Sequence, residues 1–414
     1  MKLSRIGRIS QALVVSMAMV LGMSACGGYT VGFMWVLGTQ YNQIAGFKID
    51  DYTGNLTRMI NSPYSSGGTN PVSLSVRVGG NYVFVVNKGT SVKACDGNIS
   101  VFSVGNDGVL TFQQSYTPPG CSPVWVASDS TGSYLYVLES QAPDFATTGN
   151  GDIAVYQVDG ATGRLQIVPN QLIKNAQGQQ LNYFEVGPAP TMMRVSGSCV
   201  FALDSGDQTV FPYGIGSNGQ LTVQANSRIQ TGGTNITSIN VSGSNVYLTD
   251  AAPVPANSTN PGSTGGTIRV YTIGSGCSLS AQADGVVNNL AGTLNPVYSM
   301  TDAKSKFLYV LNKGNTLASN PNNAGSTISA FVIQSTGTLV PISDPQNPFS
   351  VGSGPVCMAE DPSNQYIYTS NNIDGTVTGK FINQNTGQLS NLSRGSSFEG
   401  PGLATCLAIS GNVD

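Results

Sequence analysis

The chain has 414 residues, of which only 9% are charged, and its formal net charge is -3. Such a weakly charged chain lacks the basic field that binds a phosphate backbone, so we expect no nucleic-acid partner. Its 51 glycines and 40% hydrophobic residues favour many short strands joined by tight turns over helices.

The N-terminal segment has the layout of a secretory signal. Lys2, Arg5 and Arg8 precede an apolar stretch over residues 9–23, which is too short to span a bilayer comfortably. Small residues then lead to Cys26, as in a bacterial lipobox, in which the cysteine is acylated and becomes the mature N-terminus. We therefore expect an exported protein attached to the cell envelope through a lipid at Cys26, at the outer membrane, in the periplasm or at the surface.

This interpretation divides the chain into a signal peptide over residues 1–25, a lipidated tether over 26–32 and a folded domain over 33–414. The alternative is plain signal cleavage, with Cys26 in a disulfide. Six cysteines remain once Cys26 is set aside, an even number suited to an oxidising compartment.

The folded domain consists of repeats. Each copy has a proline or asparagine, a short apolar strand, an aromatic-rich strand ending in a polar residue, a loop, a strand of the type Ile-x-Val-Tyr-x-Val and a Gly-x-Leu turn. The six full copies begin at Pro71, Pro123, Pro190, Asn235, Pro296 and Pro355. The recurring glycine fits a hairpin that needs a positive φ.

A seventh unit is split between the two ends of the chain. Residues 34–37, 44–49 and 54–56 supply three strands, but nothing before them resembles a first strand. Residues 403–410 resemble a first strand, because Cys406-Leu407-Ala408 matches Cys357-Met358-Ala359 of the preceding unit. The sequence therefore predicts an all-β, seven-bladed β-propeller with four-stranded antiparallel blades, closed by the C-terminal strand joining the N-terminal blade.

The order of strands within a blade sorts the loops onto two faces. Connections between strands one and two, and between three and four, are short and define what we call the short-turn face. Connections between strands two and three, and between blades, are long and define the long-loop face. Binding residues usually lie on long loops held by a rigid scaffold, so we place function on the long-loop face.

Polar residues that end the second strands, together with cations beside them or on innermost strands, are the candidate ligand-binding residues. They are Asn87, Lys88, Arg194, Asn312, Lys313 and Asn371, with Glu139, Asp204 and Asp250 as candidate catalytic acids. A mixed-charge ring at the channel mouth suits a sugar-like small molecule, and a protein is the other partner considered. The alternative is that these residues solvate strand ends and cap turns.

Loop positions also suggest how the cysteines pair. Cys95 and Cys121 fall on the long-loop face of neighbouring blades, whereas Cys199 and Cys277 fall near short turns. Cys357 and Cys406, the third candidate pair, occupy equivalent places on adjacent innermost strands. Buried free thiols are the alternative, because six cysteines allow 15 connectivities.

The chain contains no histidine. This excludes Ser-His-Asp and Cys-His catalysis and imidazole metal ligands. No Asp-rich calcium loop or phosphate-binding glycine loop occurs, so we expect no metal and no cofactor. Acid–base chemistry by Asp or Glu remains open.

Two units carry a resemblance to a known family. The segments that begin at Ser122-Pro123-Val124 and at Gly352-Ser353-Gly354, with the Thr-Gly-x-Leu turns, resemble the lactonase family of seven-bladed propellers, which includes bacterial 6-phosphogluconolactonases and fungal muconate-lactonizing enzymes. The resemblance covers nearly all of the chain from Phe33 onward. Members of that family tend to have Gly-Pro-Arg-His on an innermost strand, whereas this chain has Gly354-Pro355-Val356-Cys357 and lacks both the cation and the imidazole.

Two functions follow as hypotheses. The first is a binding or scaffolding propeller at the cell envelope, without catalysis. The second is a divergent lactonase acting on a sugar lactone, with Glu139, Asp204 or Asp250 as general base and Arg194 or Lys88 holding charge. Whether the chain is an enzyme stays open at this point.

Overall fold

A computed structural model describes residues 29–174, 178–223, 228–255, 262–315 and 325–411. The proposed signal peptide and Cys26 lie outside these residues, as do residues 27 and 28 of the proposed tether. In the described ranges no helix is long and apolar enough to cross a membrane. Apart from one helical turn at Phe145–Thr148 and one 3₁₀ turn at Ser275–Cys277, the regular structure of the described residues is strand.

The strands form seven antiparallel blades, which we number I to VII from the N-terminal end. Blade I begins with β1 (Thr30–Gly38), β2 (Gln43–Asp50), β3 (Leu56–Arg58) and β4 (Tyr64–Ser65). Blade II has β5 (Pro71–Val76), β6 (Tyr82–Asn87), β7 (Asn98–Val104) and β8 (Leu110–Tyr116). Blade III has β9 (Cys121–Ser128), β10 (Tyr134–Gln141), β11 (Asp152–Val158), β12 (Leu165–Ile167) and, after a hairpin of β13 (Asn170–Lys174) and β14 (Gln180–Leu181), β15 (Phe184–Glu185).

The remaining blades repeat this order. Blade IV has β16 (Pro190–Ser196), β17 (Cys199–Asp204), β18 (Thr209–Ile215), β19 (Leu221–Val223) and β20 (Ile229–Gln230). Blade V has β21 (Ile236–Ser242), β22 (Asn245–Asp250), β23 (Thr267–Ile273) and β24 (Leu279–Asn288). Blade VI has β25 (Pro296–Thr301), β26 (Phe307–Asn312), β27 (Thr327–Ile333), β28 (Leu339–Pro341) and β29 (Phe349–Ser350). Blade VII has β30 (Pro355–Glu360), β31 (Tyr366–Asn371), β32 (Thr376–Ile382), β33 (Leu389–Asn391) and β34 (Ser397–Glu399), and the last strand is β35 (Ala404–Gly411).

The C-terminal strand closes the ring, which confirms the predicted fold. Strand β35 pairs antiparallel with β1, placing Met34 opposite Ile409 and Val36 opposite Leu407. It thereby becomes the innermost strand of blade I. The edge of β1 that an open row of blades would leave exposed is therefore paired.

The outermost strands differ from the expectation of one fourth strand per blade. In five blades this strand is divided into two short pieces that pair with opposite ends of the third strand, as β12 and β15 do with β11. Only β8 and β24 are continuous along their blades. Outer strands pack on one side only, so a loop can interrupt them without exposing the core.

The core lies between blades, and a repeated aromatic hydrogen bond links one blade to the next. In five blades the second strand carries a buried Tyr or Trp that donates to the glycine carbonyl in the Gly-x-Leu turn of the following blade. The pairs are Trp35–Gly108, Tyr136–Gly219, Tyr247–Gly337, Tyr309–Gly387 and Tyr368–Gly54. The glycine of the turn therefore has a second role besides its positive φ, because its carbonyl receives the neighbouring blade.

Within the described residues, three disulfides join neighbouring blades, with the pairing that the loop positions suggested. They are Cys95–Cys121, Cys199–Cys277 and Cys357–Cys406. The last bond connects β30 to β35 and therefore fastens the closing strand to blade VII.

Candidate functional site

The polar residues that end the second strands are buried rather than displayed at the channel mouth. Asn87, Glu139, Asp204, Asn312 and Asn371 are all 0% exposed, and Asp250 is 2% exposed. The sequence pattern predicted an open rim, because it does not show that the loop between blades folds over each strand end. Their assignment to a ligand remains a prediction that this burial disfavours.

The asparagines hold neighbouring strands and loops together. The Asn87 amide donates to Ser100 Oγ and to the Ser66 carbonyl. The Asn371 amide donates to the hydroxyls of Thr376 and Thr378. Asn312 makes the same kind of contact with the third strand of blade VI. These contacts support the structural alternative, in which the residues anchor the strand ends.

Two of the three candidate catalytic acids are saturated by internal donors. Asp204 accepts hydrogen bonds from the amides of Ala189, Gly206 and Asp207. Asp250 accepts backbone amides and pairs with the Arg269 guanidinium at 3.3 Å. Burial nevertheless raises the pKa of Asp204, against the opposing effect of its amide donors. Neither carboxylate is available to take a proton from a substrate.

Glu139 is a different case, because it lies beside a second buried acid that the sequence did not reveal. Asp152 opens β11 directly opposite Glu139 on β10. Burial raises the pKa of both carboxyl groups well above their usual range, and the charge of Glu139 raises that of Asp152 further. Both are fully enclosed, so the pair faces no open cavity.

The three candidate cations are scattered. Lys88 is exposed and Lys313 partly exposed, each just beyond a second strand of a different blade. Arg194 lies on an innermost strand, as expected, but its guanidinium is 5.1 Å from the ring centroids of both Trp125 and Tyr298. The structure does not bring the three together.

The aromatic partners of Arg194 fill the centre of the ring. Trp125 and Tyr298 belong to blades III and VI, yet their ring centroids are only 6.5 Å apart. They meet across the propeller axis, where cation–π contact holds Arg194 between them. This packing makes Arg194 part of the central core rather than the wall of an open channel.

An exposed groove lies on the long-loop face where the ring closes. We call it the closure groove; it has a volume of about 520 Å³, a size typical of small-molecule sites. Its lining comes from the loop after β1, the loop after β31 and the segment before β35, and includes Gln40, Tyr41, Gln43, Arg58, Ile373, Asp374, Glu399 and Leu403. Sequence reasoning chose this face but missed these residues.

The closure groove combines an exposed aromatic ring with polar groups. Tyr41 is 63% exposed, and the Gln40 amide donates to its hydroxyl. Arg58 stacks on Phe47 and donates to the Glu399 carbonyl. The Glu399 side chain is exposed and makes no hydrogen bond within the described residues. An aromatic face flanked by carboxylate and amide oxygens can stack against a sugar ring and accept hydrogen bonds from its hydroxyl groups.

One further acid has a pKa suited to proton transfer. Burial raises the pKa of Glu360, at the end of β30, to about 7. It accepts hydrogen bonds from the Ala303 amide and the Asn364 side chain. No basic side chain forms an ion pair with Glu360 within the described ranges. The same ranges contain no group of three or more His, Cys, Asp or Glu side chains that could hold a metal ion.

Solved structures share this architecture. The periplasmic gluconolactonase of Pseudomonas aeruginosa is 16% identical, with a TM-score of 0.67 over 93% of this chain and 100% of that one. A Bacteroides fragilis protein proposed to be a 6-phosphogluconolactonase is also 16% identical, with a TM-score of 0.66 over 92% and 98%. This chain has the lactonase-type propeller fold. Searches against protein-family models and curated proteins give no match.

At this level of identity the lactonase-type likeness establishes the fold and not the chemistry. Cys357, which stands where the resemblance would lead one to expect a histidine, forms a disulfide with Cys406.

Proposed function

We propose that this protein is an exported, non-catalytic propeller that binds a sugar-like ligand in the closure groove. The observation that carries the proposal is the contrast between its acids. Asp204 and Asp250 are buried and saturated, Glu139 is enclosed, and the exposed polar groups gather instead around Tyr41. A groove with an aromatic platform and no activated base is equipped to bind rather than to hydrolyse.

A sugar fits the groove better than a strongly charged ligand. Arg58 is countered by Glu399 and Asp374 in the same lining, so no single charge dominates. Stacking on an exposed Tyr contributes about 0.5–1.5 kcal/mol, and a hydrogen bond to a charged acceptor about 1.5–3 kcal/mol. Together they are consistent with selective, reversible binding of a neutral sugar or sugar lactone.

Glycan-array screening followed by calorimetry tests this site. We expect Tyr41→Ala to weaken the best ligand about tenfold and Glu399→Gln by about tenfold or more, as the loss of one stacking contact and one charged acceptor requires. Tyr52→Ala is the matched control, since Tyr52 is 87% exposed on the opposite, short-turn face. Equal binding by all four proteins would contradict the assignment.

The second candidate function is a divergent lactonase, and the raised pKa of Glu360 is the observation that favours it. A carboxylate with a pKa of about 7 is matched to general-base catalysis at neutral pH. Purified protein should be assayed with gluconolactone-type substrates. We expect no turnover above the uncatalysed rate; hydrolysis that is lost in Glu360→Gln would replace the binding proposal with the enzymatic one.

Export and lipid attachment are part of the proposal. Disulfides between blades suit an oxidising compartment, and one structural neighbour is named as periplasmic. Membrane fractionation of the wild type and of Cys26→Ser tests the anchor. We expect the wild type in the membrane fraction and the variant released from it; identical fractionation would argue for plain cleavage.

A further inference from the structure

Two buried carboxylates in blade III lack a counter-charge. Glu139 and Asp152 are both 0% exposed, and their four carboxylate oxygens accept no well-formed hydrogen bond in the described part of the chain, although the Gly120 backbone amide is close enough to lower the pKa of Glu139. The ion pairs found there involve Asp207 and Asp250 instead. Burying two like charges without a counter-charge costs several kcal/mol per ion, so the pair must be neutralised either by protons or by a bound cation.

Further oxygens face the same small volume. A Cβ atom on Gly120 would collide with Glu139 Oε2, the Gln141 carbonyl oxygen and Asp152 Oδ1, so these three oxygens surround one side of Gly120. Two residues further along, the Ser122 hydroxyl is buried and also lacks a partner. The oxygens around Gly120 are thus two carboxylates and one carbonyl, and the Ser122 hydroxyl is the next polar group along the chain.

The buried hydroxyl of Tyr156 adds an independent indication. Tyr156 is 4% exposed, and its hydroxyl makes no hydrogen bond in the described ranges. Burial raises the pKa of the Tyr156 hydroxyl, and the nearby charges of Glu139 and Asp152 raise it further. An unsatisfied polar group of this kind beside two unsatisfied acids indicates a missing occupant rather than a single misplaced side chain.

We propose that a calcium ion binds between Glu139 and Asp152, with the Gln141 carbonyl and the Ser122 hydroxyl as neutral ligands. An all-oxygen set with two carboxylates suits calcium, whereas transition metals prefer nitrogen or sulfur and magnesium retains most of its water. The ligands come from β9, β10 and β11. The ion would therefore tie the start of the innermost strand of blade III to its two middle strands, next to Cys121.

Calorimetry and thermal unfolding of chelator-treated protein test the site. We expect one Ca²⁺ to bind per chain and millimolar Ca²⁺ to raise Tm by about 5 °C or more, because binding to the folded state alone stabilises it. Glu139→Gln and Asp152→Asn should each lose the binding heat and the rise in Tm. Asp284→Asn, which changes an exposed acid on β24, should keep both.

The double variant Glu139→Gln with Asp152→Asn guards against misfolding as an explanation. Amides keep the shape without the charge, so in chelator we expect this variant to have a higher Tm than the wild type and no response to Ca²⁺. A wild type that shows neither binding heat nor a Tm change with Ca²⁺ overturns the proposal, as does a response to Mg²⁺ alone. Sugar binding in the closure groove is a separate readout, expected to be unchanged by the double variant.

Discussion

A chain that ends at Leu403 is expected not to reach a stable folded state. It lacks β35, which pairs with β1 and buries Ala404, Cys406 and Leu407 between blades. Its absence would expose the edge of β1, whose residues 33–37 are almost wholly buried. Net stabilities of domains are only about 5–15 kcal/mol, less than the loss of an entire inner strand removes. Circular dichroism and size-exclusion chromatography should show an unfolded or aggregated product.

The matched control ends at Gly411 and removes only residues 412–414, which follow β35. We expect this protein to unfold at the same temperature as the full chain. A synthetic peptide of residues 404–411, added during refolding of the shorter chain, should restore part of the signal by occupying the vacant edge. Normal folding of the chain ending at Leu403 would show that ring closure is not required for stability.

Replacing both Cys357 and Cys406 by serine is expected to lower the unfolding free energy by about 4 kcal/mol. The bond closes a loop with a sequence separation of 49 residues, and loop-closure entropy gives that magnitude. It also fastens β35 to blade VII. Urea unfolding of the oxidised wild type and of the double variant gives the free-energy difference.

Replacing both Cys199 and Cys277 by serine serves as the comparison. The Cys199–Cys277 bond closes a loop with a sequence separation of 78 residues, so its loop-closure entropy is similar. Both double variants should lose comparable free energy. Hydrogen exchange separates them: we expect the amides of β35 to lose protection only when Cys357 and Cys406 are replaced. Equal loss in both variants would mean that the closing strand is held by its hydrogen bonds alone.

The blade count, the strand order and the split blade were predictable because each depends on local signals repeated along the chain. The alternating apolar strands and the Gly-x-Leu turns recur often enough for the register to be read without the structure. The divided outer strands were not predictable. Pieces as short as Tyr64–Ser65 are too brief to leave a pattern, and their pairing depends on how the loop returns.

The candidate site was predictable only as far as its face. Asn87, Asp204 and Asp250 end their strands as expected, but their burial depends on the preceding loop, where a glycine packs against each of them. A signal for this was present: the pairs Gly68–Asn87, Gly120–Glu139, Gly187–Asp204, Gly233–Asp250 and Gly352–Asn371 recur at nearly constant spacing. The closure groove left no such signal, because its lining joins residues near 40 to residues near 400.

The antiparallel pairing of β1 with β35 also fixes an orientation. The first residue of β1, Thr30, and the last residue of β35, Gly411, lie at the end of blade I opposite the turn that begins after Gly38. That turn lines the closure groove. A lipid on Cys26, only a few residues before Thr30, would therefore hold the short-turn face against the bilayer. The groove would then point outward, where soluble sugars arrive by diffusion without crossing the membrane surface.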